Sequence, residues 1–420
     1  LKRFTIIVLV AAILAGLAFG LENLQRERRE PIKVGLLHSL SGTMAISETS
    51  VVEASLLAIE EINAQGGVLG RPIEPMVVDI ESDWDLAARQ AEALITEEGV
   101  AVIFGCWTSA CRKTVKPVFE KHDHLLIYPV QYEGLEASPN IIYTGAAPNQ
   151  QLVPAVNWSL ENLGRRFYLV GSDYVFPRTA NAILRAQIEA LGGEVVGEDY
   201  IPLGSTEVEA IVTNIALAEP DVILNTINGD SNIAFFAALR AQGITPQLIP
   251  TISFSIAEPE LQTMNIPDMV GDYAAWNYFQ SLPGPENERF VAAFRARYGQ
   301  ERVISDPMEA AYFGVYLWAQ AVEEAGTSQL SRVQVQILNQ SRNAPSGVVY
   351  IDPQTRHTWK SVLIGQIQAD GQFEIVWTSE RPVRPLPYPP FRSRDAWEAF
   401  LLDLYEGWGG QWALPTGGEG

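Results

Sequence analysis

Two α/β lobes, each built on a parallel sheet, are what this sequence predicts, and three observations carry the prediction. Strand-like runs alternate with helical runs from residue 32 onward; the alternation restarts after the turn-rich stretch "TGAAPNQQ" at 144–151; and the stops "INAQGG" and "IEALGG" fall at equivalent places in the two series. At 420 residues the chain is too long for one ordinary core, by the rough rule of about 150 residues per domain. Its hydrophobic fraction of 47% supplies material for two.

In the first series, residues 32–38 read as a strand, and Val52, Leu56, Ile59 and Ile62 then recur at helical spacing until Gly66 and Gly67 stop the helix. Strands follow at 76–80, 100–105 and 125–128, with helices at 86–95 and 114–121 between them. The second series places strands at 167–171, 194–200, 222–226 and 248–252, and helices at 180–191, 207–218 and 231–242. After about residue 276 come helices at 286–298 and 308–325 and β-like segments at 347–351, 361–367 and 373–377. That is too little for a third domain, so the chain is expected to return and complete both lobes. The expected division is 31–148 plus 277–345 for lobe 1, 149–276 plus 346–385 for lobe 2, and 386–420 for a Pro-rich strap and tail with a short helix at 395–404.

The formal charge of −21 argues against nucleic acid or an anionic membrane as the main partner, since such surfaces repel an acidic protein. Residues 1–20 have the layout of an export signal: Lys2 and Arg3, an apolar stretch, then small residues, with Ala18–Gly20 as a cleavage site and 21–30 as a linker. The alternative is an uncleaved N-terminal anchor. Lipid attachment is not expected, because Leu17 occupies the place where a lipoprotein signal requires Cys. Either way the body of the protein is placed in the periplasm or otherwise outside the cytoplasm. Cys106 and Cys111 sit five apart across a loop-to-helix junction, unfavourable for the short Cα separation of a disulfide, so buried free thiols are expected. A cysteine nucleophile is the sharper alternative.

In open parallel sheets, ligands bind beyond the carboxyl ends of the strands. Those positions are "SLSGT" (39–43), "SDWD" (82–85), "CWTSA" (106–110), "PVQYEG" (129–134), "SDYVFPR" (172–178), "NGDSN" (228–232) and "AWNYF" (275–279). They offer rings, amides, hydroxyls and carboxylates without a dominant Lys or Arg fork, which suits a small, neutral, planar guest rich in N–H donors. Ser109 is expected to cap the following helix, leaving first-turn amides for a carbonyl oxygen, and Trp107 to offer a flat face. Asp230 is read either as a helix cap or as an acceptor for ligand N–H groups. No G-x-S-x-G elbow, Walker loop or H-E-x-x-H is present, so neither an enzyme nor a nucleotide cofactor is expected. His122 and His124, flanking Asp123, are read as a solvated turn in preference to a metal site.

The stretches "VGLLHSLSGTMAISE", "AIEEINAQGGVLG", "FGCWTSACRKTVKPVFEKHDHLLIYPVQYEG", "VGSDYVFPRTAN", "NTINGDSN" and "DPMEAAYFGVYLW" closely resemble the substrate-binding proteins of bacterial urea ABC transporters, in the branched-chain amino-acid and amide-binding group of type I periplasmic binding proteins. The resemblance runs from about residue 31 to about 390. It implies two doubly wound lobes joined by three crossovers, one ligand in the cleft, no cofactor, and delivery of that ligand to membrane permease subunits. Carried over by position, it implies a lobe-1 wall of Trp107, Thr108, Ser109, Tyr128 and Gln131, facing Tyr174, Phe176, Asn228 and Asp230 of lobe 2. Cys111 departs from the family pattern, where Ser or Thr is expected. Urea is the implied ligand, with short aliphatic amides such as formamide and acetamide, or branched-chain amino acids, as alternatives.

Overall fold

The computed structural model describes residues 30–414; the expected export signal, Leu17, most of the linker and residues 415–420 lie outside them. The first sheet holds β1 (Ile32–His38), β2 (Ile73–Asp79), β3 (Ile103–Gly105), β4 (Leu126–Tyr128) and β5 (Ile141–Tyr143) in the order β2-β1-β3-β4-β5, every pairing parallel. β3, β4 and β5 are buried at every residue, as strands covered on both faces must be. The crossovers are α1 (Ala45–Ala64), α2 (Trp84–Thr96) and α3 (Ser109–Lys121). Gly67, after α1, has φ +76°, and a Cβ there would lie 2.0 Å from the Arg71 carbonyl oxygen, so only glycine permits this stop.

Lobe 2 begins with α4 (Leu152–Asn162), then β6 (Arg166–Ser172), α5 (Val175–Ala190), β7 (Glu194–Ile201), α6 (Glu209–Ala218), β8 (Val222–Thr226), α7 (Ser231–Ala241), β9 (Thr251–Ser253), the one-turn helices α8 (Glu258–Leu261) and α9 (Ile266–Met269), and β10 (Tyr273–Trp276). The chain returns to lobe 1 with α10 (Pro285–Tyr298), α11 (Asp306–Ala325) and α12 (Leu330–Gln336), and adds an antiparallel ribbon of β11 (Ser341–Ala344), β12 (Gly347–Ile351) and β13 (Thr358–Trp359). It crosses a third time to give β14 (Leu363–Ile367) and β15 (Phe373–Thr378), antiparallel strands on the edge of the second sheet, whose order is β15-β14-β10-β9-β8-β6-β7. Helix α13 (Arg394–Gly407) ends the regular structure.

Three placements differ from expectation. Helices α3 and α5 start earlier than their apolar periodicity implied: Pro177 sits in the first turn of α5, where no intrahelical N–H is needed. Residues 347–359, expected in lobe 2, pack on lobe 1, where Val349 and Ile351 join its core and His357 bridges to Tyr143, covering the β5 edge. Strand β5 and helix α4 lie in stretches the periodicity did not single out.

The three crossings are tied by one side chain. The Asn277 amide donates to the carbonyls of Gln150 at 3.0 Å and Ser361 at 2.7 Å, while its backbone N–H donates to Asp306 at 2.9 Å. Lys360, fully buried, sits 3.3 Å from Asp306. Among the described residues no helix is long and apolar enough to cross a membrane.

Candidate functional site

Every strand of the two parallel arrays points its carboxyl end toward the same seam, where parts of the loops leaving those ends, among them residues 106–110 and 129–134, are buried. At these loops hydrogen bonds cross from lobe 1 to lobe 2. Thr43 Oγ1 donates to Asp230 Oδ1 at 2.6 Å, Ser47 Oγ to Glu260 Oε1 at 2.6 Å, Gln131 Nε2 to the Phe254 carbonyl at 2.8 Å, and Trp107 Nε1 to Asn228 Oδ1 at 3.5 Å. Gly229, at φ +69°, lets this close approach happen: a Cβ there would come within 3.1 Å of the Thr43 carbonyl oxygen. The lobes are closed.

The lobe-1 wall follows from the start of α3. Thr108, not Ser109, is its cap, with its hydroxyl accepting from the Cys111 N–H at 3.1 Å. Ser109 is the first helical residue, so the expected cap is off by one; the first-turn amides of Ser109 and Ala110 still have no intrahelical acceptor. Cys106 and Cys111 form a disulfide with Cα atoms 5.7 Å apart, correcting the expectation of free thiols. The bridge is possible because Cys106 takes a left-handed backbone, φ +63°, which folds the loop back over the first helical turn. Sequence spacing does not reveal that turn.

Under this wall lies a buried charge cluster. Arg112 donates to Glu136 at 2.9 Å, to Glu133 at 3.0 Å and to the Ser109 hydroxyl at 3.0 Å, and its guanidinium lies over the rings of Tyr132 and Tyr128. Lys113 reaches Glu136 at 3.2 Å, and Ser109 itself donates to Glu133. Burial alone would raise the Glu136 carboxyl, but Arg112 and Lys113 outweigh it and hold the group well below the usual carboxylate range. Two cations face two carboxylates, so the cluster presents no spare positive charge to the cleft.

The expected ligand contacts therefore separate. Ser109 is spent on Glu133 and Arg112, Thr108 on its cap, and Tyr128, whose hydroxyl donates to the Trp107 carbonyl at 2.5 Å, on positioning the wall. Asp230 is exposed, makes no side-chain cap, and accepts from Thr43, so it belongs to the contact between the lobes and not to the buried interior. Trp107, Gln131, Tyr174, Phe176 and Asn228 are brought together, all buried. His122 and His124 diverge. One meets Glu92 at 3.0 Å; the other, buried and not in a solvated turn, meets the Val100 carbonyl at 2.9 Å. Among the described residues no group of three His, Cys, Asp or Glu side chains is arranged to hold a metal.

Sequence reasoning missed Glu48. It lies in the first turn of α1 and is fully buried; its Oε2 faces His38 Nδ1 at 2.8 Å and accepts from the Ser39 N–H at 3.0 Å, while Oε1 has no partner among the described residues. Its charge reaches Tyr174, whose hydroxyl burial pushes far up, helped by Tyr128, Glu133 and Glu48. Further buried atoms at the strand ends are also without partners among the described residues: His38 Nε2, Gln131 Oε1, Ser231 Oγ, Ser255 Oγ and Asn277 Oδ1. Such atoms are uncommon in folded proteins and each is worth a reason. The Glu48, Gln131 and Asn277 oxygens can only accept hydrogen bonds, whereas the two hydroxyls and the imidazole nitrogen can accept or donate. A glutamate in a first helical turn is usually a solvated partner of the helix dipole, so nothing in the sequence distinguished this one.

Two α/β lobes joined by three crossings and closed over leftover hydrogen-bonding groups define a receptor that encloses a small solute. The chain belongs to the periplasmic binding protein family, whose domain model matches residues 32–394. It is similar to Leu/Ile/Val-binding protein homolog 6 of Brucella melitensis biotype 1, with 22% identity over 345 residues covering 80% of this chain and 87% of that one. It also matches limonene hydroxylase of Geobacillus stearothermophilus at 38% identity over 117 residues, 28% of this chain but only 21% of that protein. Among solved structures it resembles an R. palustris ABC-transporter solute-binding protein in complex with 4-hydroxybenzoate, with TM-score 0.77, 23% identity, and coverage of 84% of this chain and 98% of the other.

Proposed function

We propose that this protein captures urea in the cleft between its lobes and delivers it to membrane permease subunits of an ABC transporter. The observation that carries the reading is the group of unpartnered buried atoms at the strand ends: Glu48 Oε1, Gln131 Oε1 and Asn277 Oδ1, which can only accept, beside the hydroxyls of Ser231 and Ser255 and His38 Nε2. Urea has four N–H donors, one carbonyl oxygen and almost no apolar surface, so its affinity must come from pairing nearly every polar atom; each buried group left unpaired costs about 1–3 kcal/mol. The buried Trp107, Tyr174 and Phe176 supply flat walls. The neutralised Arg112 and Lys113 leave no free fork for an anionic ligand.

Short aliphatic amides satisfy the same acceptors with fewer donors and are the nearest alternative. A branched-chain amino acid is the second, favoured by the name of the Brucella relative and by Glu48, which would pair with an ammonium group. Titration calorimetry of residues 30–420 with urea, formamide, acetamide, leucine and isoleucine separates them. Urea is expected to bind tightest, formamide and acetamide, each with two N–H donors fewer, more weakly, and leucine least. Leucine binding as tightly as urea would move the receptor to the amino-acid branch.

A further inference from the structure

The family model ends at residue 394, but the described chain continues to 414 and comes back to the cleft. The strap leading to α13 first fastens on lobe 1: the Leu135 N–H donates to the Pro387 carbonyl at 2.8 Å, and Asn149 donates to the Arg384 carbonyl and accepts from the Leu386 N–H. Helix α13 then packs on lobe 2, its Trp397, Leu401 and Trp408 sharing a core with Val175, Ile183 and Leu184 of α5. Beyond it, the segment Gly409–Leu414 pairs with the loop that carries Tyr174. The Val175 N–H donates to the Trp412 carbonyl at 3.0 Å, Tyr174 forms an antiparallel bridge with Ala413, and the Leu414 N–H donates to the Asp173 carbonyl at 3.4 Å. The Trp412 ring packs at a tilt against Tyr405, with centroids 4.6 Å apart, and lies 4.7 Å from the Lys113 ammonium of lobe 1.

These contacts have two consequences. Tyr174 itself makes no side-chain cap for α5, so the first helical amide is satisfied by the tail instead. Trp412 also occupies the seam, beside Thr43, Trp84 and Lys113 of lobe 1 and Asp173 and Leu203 of lobe 2, where the lobes must part for a ligand to enter or leave.

We propose that Gly409–Leu414 is a positioning element of the binding site: it holds the Tyr174 loop in its bound arrangement and clasps the two lobes at the cleft mouth, so that ligand exchange requires its release. The proposal rests on the reading of the cleft as the ligand site.

The test compares the full chain with a variant ending at Gly410, which keeps α13 and Trp408, and with Trp412→Ala and Trp412→Phe. The shortened chain is expected to release urea about tenfold faster in stopped-flow displacement, in line with the usual expression of such changes in dissociation rate, while its ligand-free melting temperature stays close to that of the full chain. Trp412→Ala should behave similarly, and Trp412→Phe, which keeps a ring against Lys113, should recover most of the effect. Hydrogen exchange of the Val175 amide, read without ligand, should accelerate on truncation. Unchanged exchange at Val175 overturns the clasp whatever the ligand is. Faster exchange with unchanged urea release overturns its role in exchange. If the full chain does not bind urea, the urea reading falls, and the exchange measurement alone decides whether the tail positions the Tyr174 loop.

Discussion

Glu48 and Asp230 are both acids near the closed seam, and their surroundings assign them opposite roles. Glu48 is fully buried with one oxygen engaged and one free; Asp230 is exposed and engaged with Thr43. Glu48→Gln keeps one oxygen for Ser39 but turns an NH2 group toward the ligand's own donors. It is expected to weaken urea binding by about 1.5–3 kcal/mol, roughly ten- to a hundredfold. Asp230→Asn retains an acceptor for Thr43 and should leave affinity within about threefold. Calorimetry of both variants checks this; a larger loss at Asp230 than at Glu48 would return the acid role to the residue the motif first suggested. Asp230 was legible as an acid at a strand end, whereas the burial of Glu48 depends on packing around α1 that no local pattern records.

The element that sets the lobe-1 wall is the turn from β3 into α3. Gly105 passes so close to Leu37 that a Cβ would fall 2.5 Å from its carbonyl oxygen, and Cys106 then takes its left-handed backbone before Trp107 and Thr108 enter the cleft. A left-handed conformation costs a non-glycine residue about 1–2 kcal/mol. The bond to Cys111 holds Cys106 there. With both cysteines changed to Ser the turn is free to relax in the empty protein and must re-form on binding, which is expected to weaken binding by about 1–2 kcal/mol. In Cys106→Gly with Cys111→Ser, glycine adopts the same backbone freely and should restore most of that loss. Equal affinities for the two double variants would assign the disulfide to stability alone.

For the whole molecule, buried acids at the hinge and in lobe 2 set the response to pH. Burial pushes the Glu258 carboxyl up to about 8 and, against the pull of Lys360, the Glu309 carboxyl up to about 7; burial likewise lifts Asp272 to about 7 despite Arg240. These groups keep a proton in the folded chain where the unfolded chain would have lost it, so their stability is full at low pH and is lost as pH rises through 7 and 8. His357, lowered by burial to about 4, works the other way, but only below its ordinary value of 6.5. Above pH 6.5 the acids therefore dominate. The melting temperature is expected to fall between pH 6.5 and 8.5, each fully titrating group removing up to about 1.4 kcal/mol per pH unit. Glu258→Gln, which keeps the acceptor for the Gln280 N–H, should flatten that slope; an unchanged slope would show that Glu258 titrates normally.

Read from the sequence alone, the alternation of apolar runs determined two α/β lobes, because strand and helix periods are local properties of the chain. The strand ends also pointed to the loops as cleft candidates, since in such sheets ligands sit where parallel strands stop, and the family resemblance picked out Trp107, Gln131, Tyr174, Phe176 and Asn228 within them. What only the tertiary structure decided depends on residues distant in the chain. Ser109 and Tyr128 were spent on Glu133, Arg112 and the Trp107 carbonyl, Asp230 on Thr43, and Glu48 was buried against His38 and Ser39. The ribbon at 341–359 joined lobe 1 because the β5 edge needed a partner, and the tail returned to the cleft because α5 offered an uncapped first turn and an apolar face. Whether a polar atom is free for a ligand is a matter of which partners remain after folding, and that is settled by the packing of the whole chain.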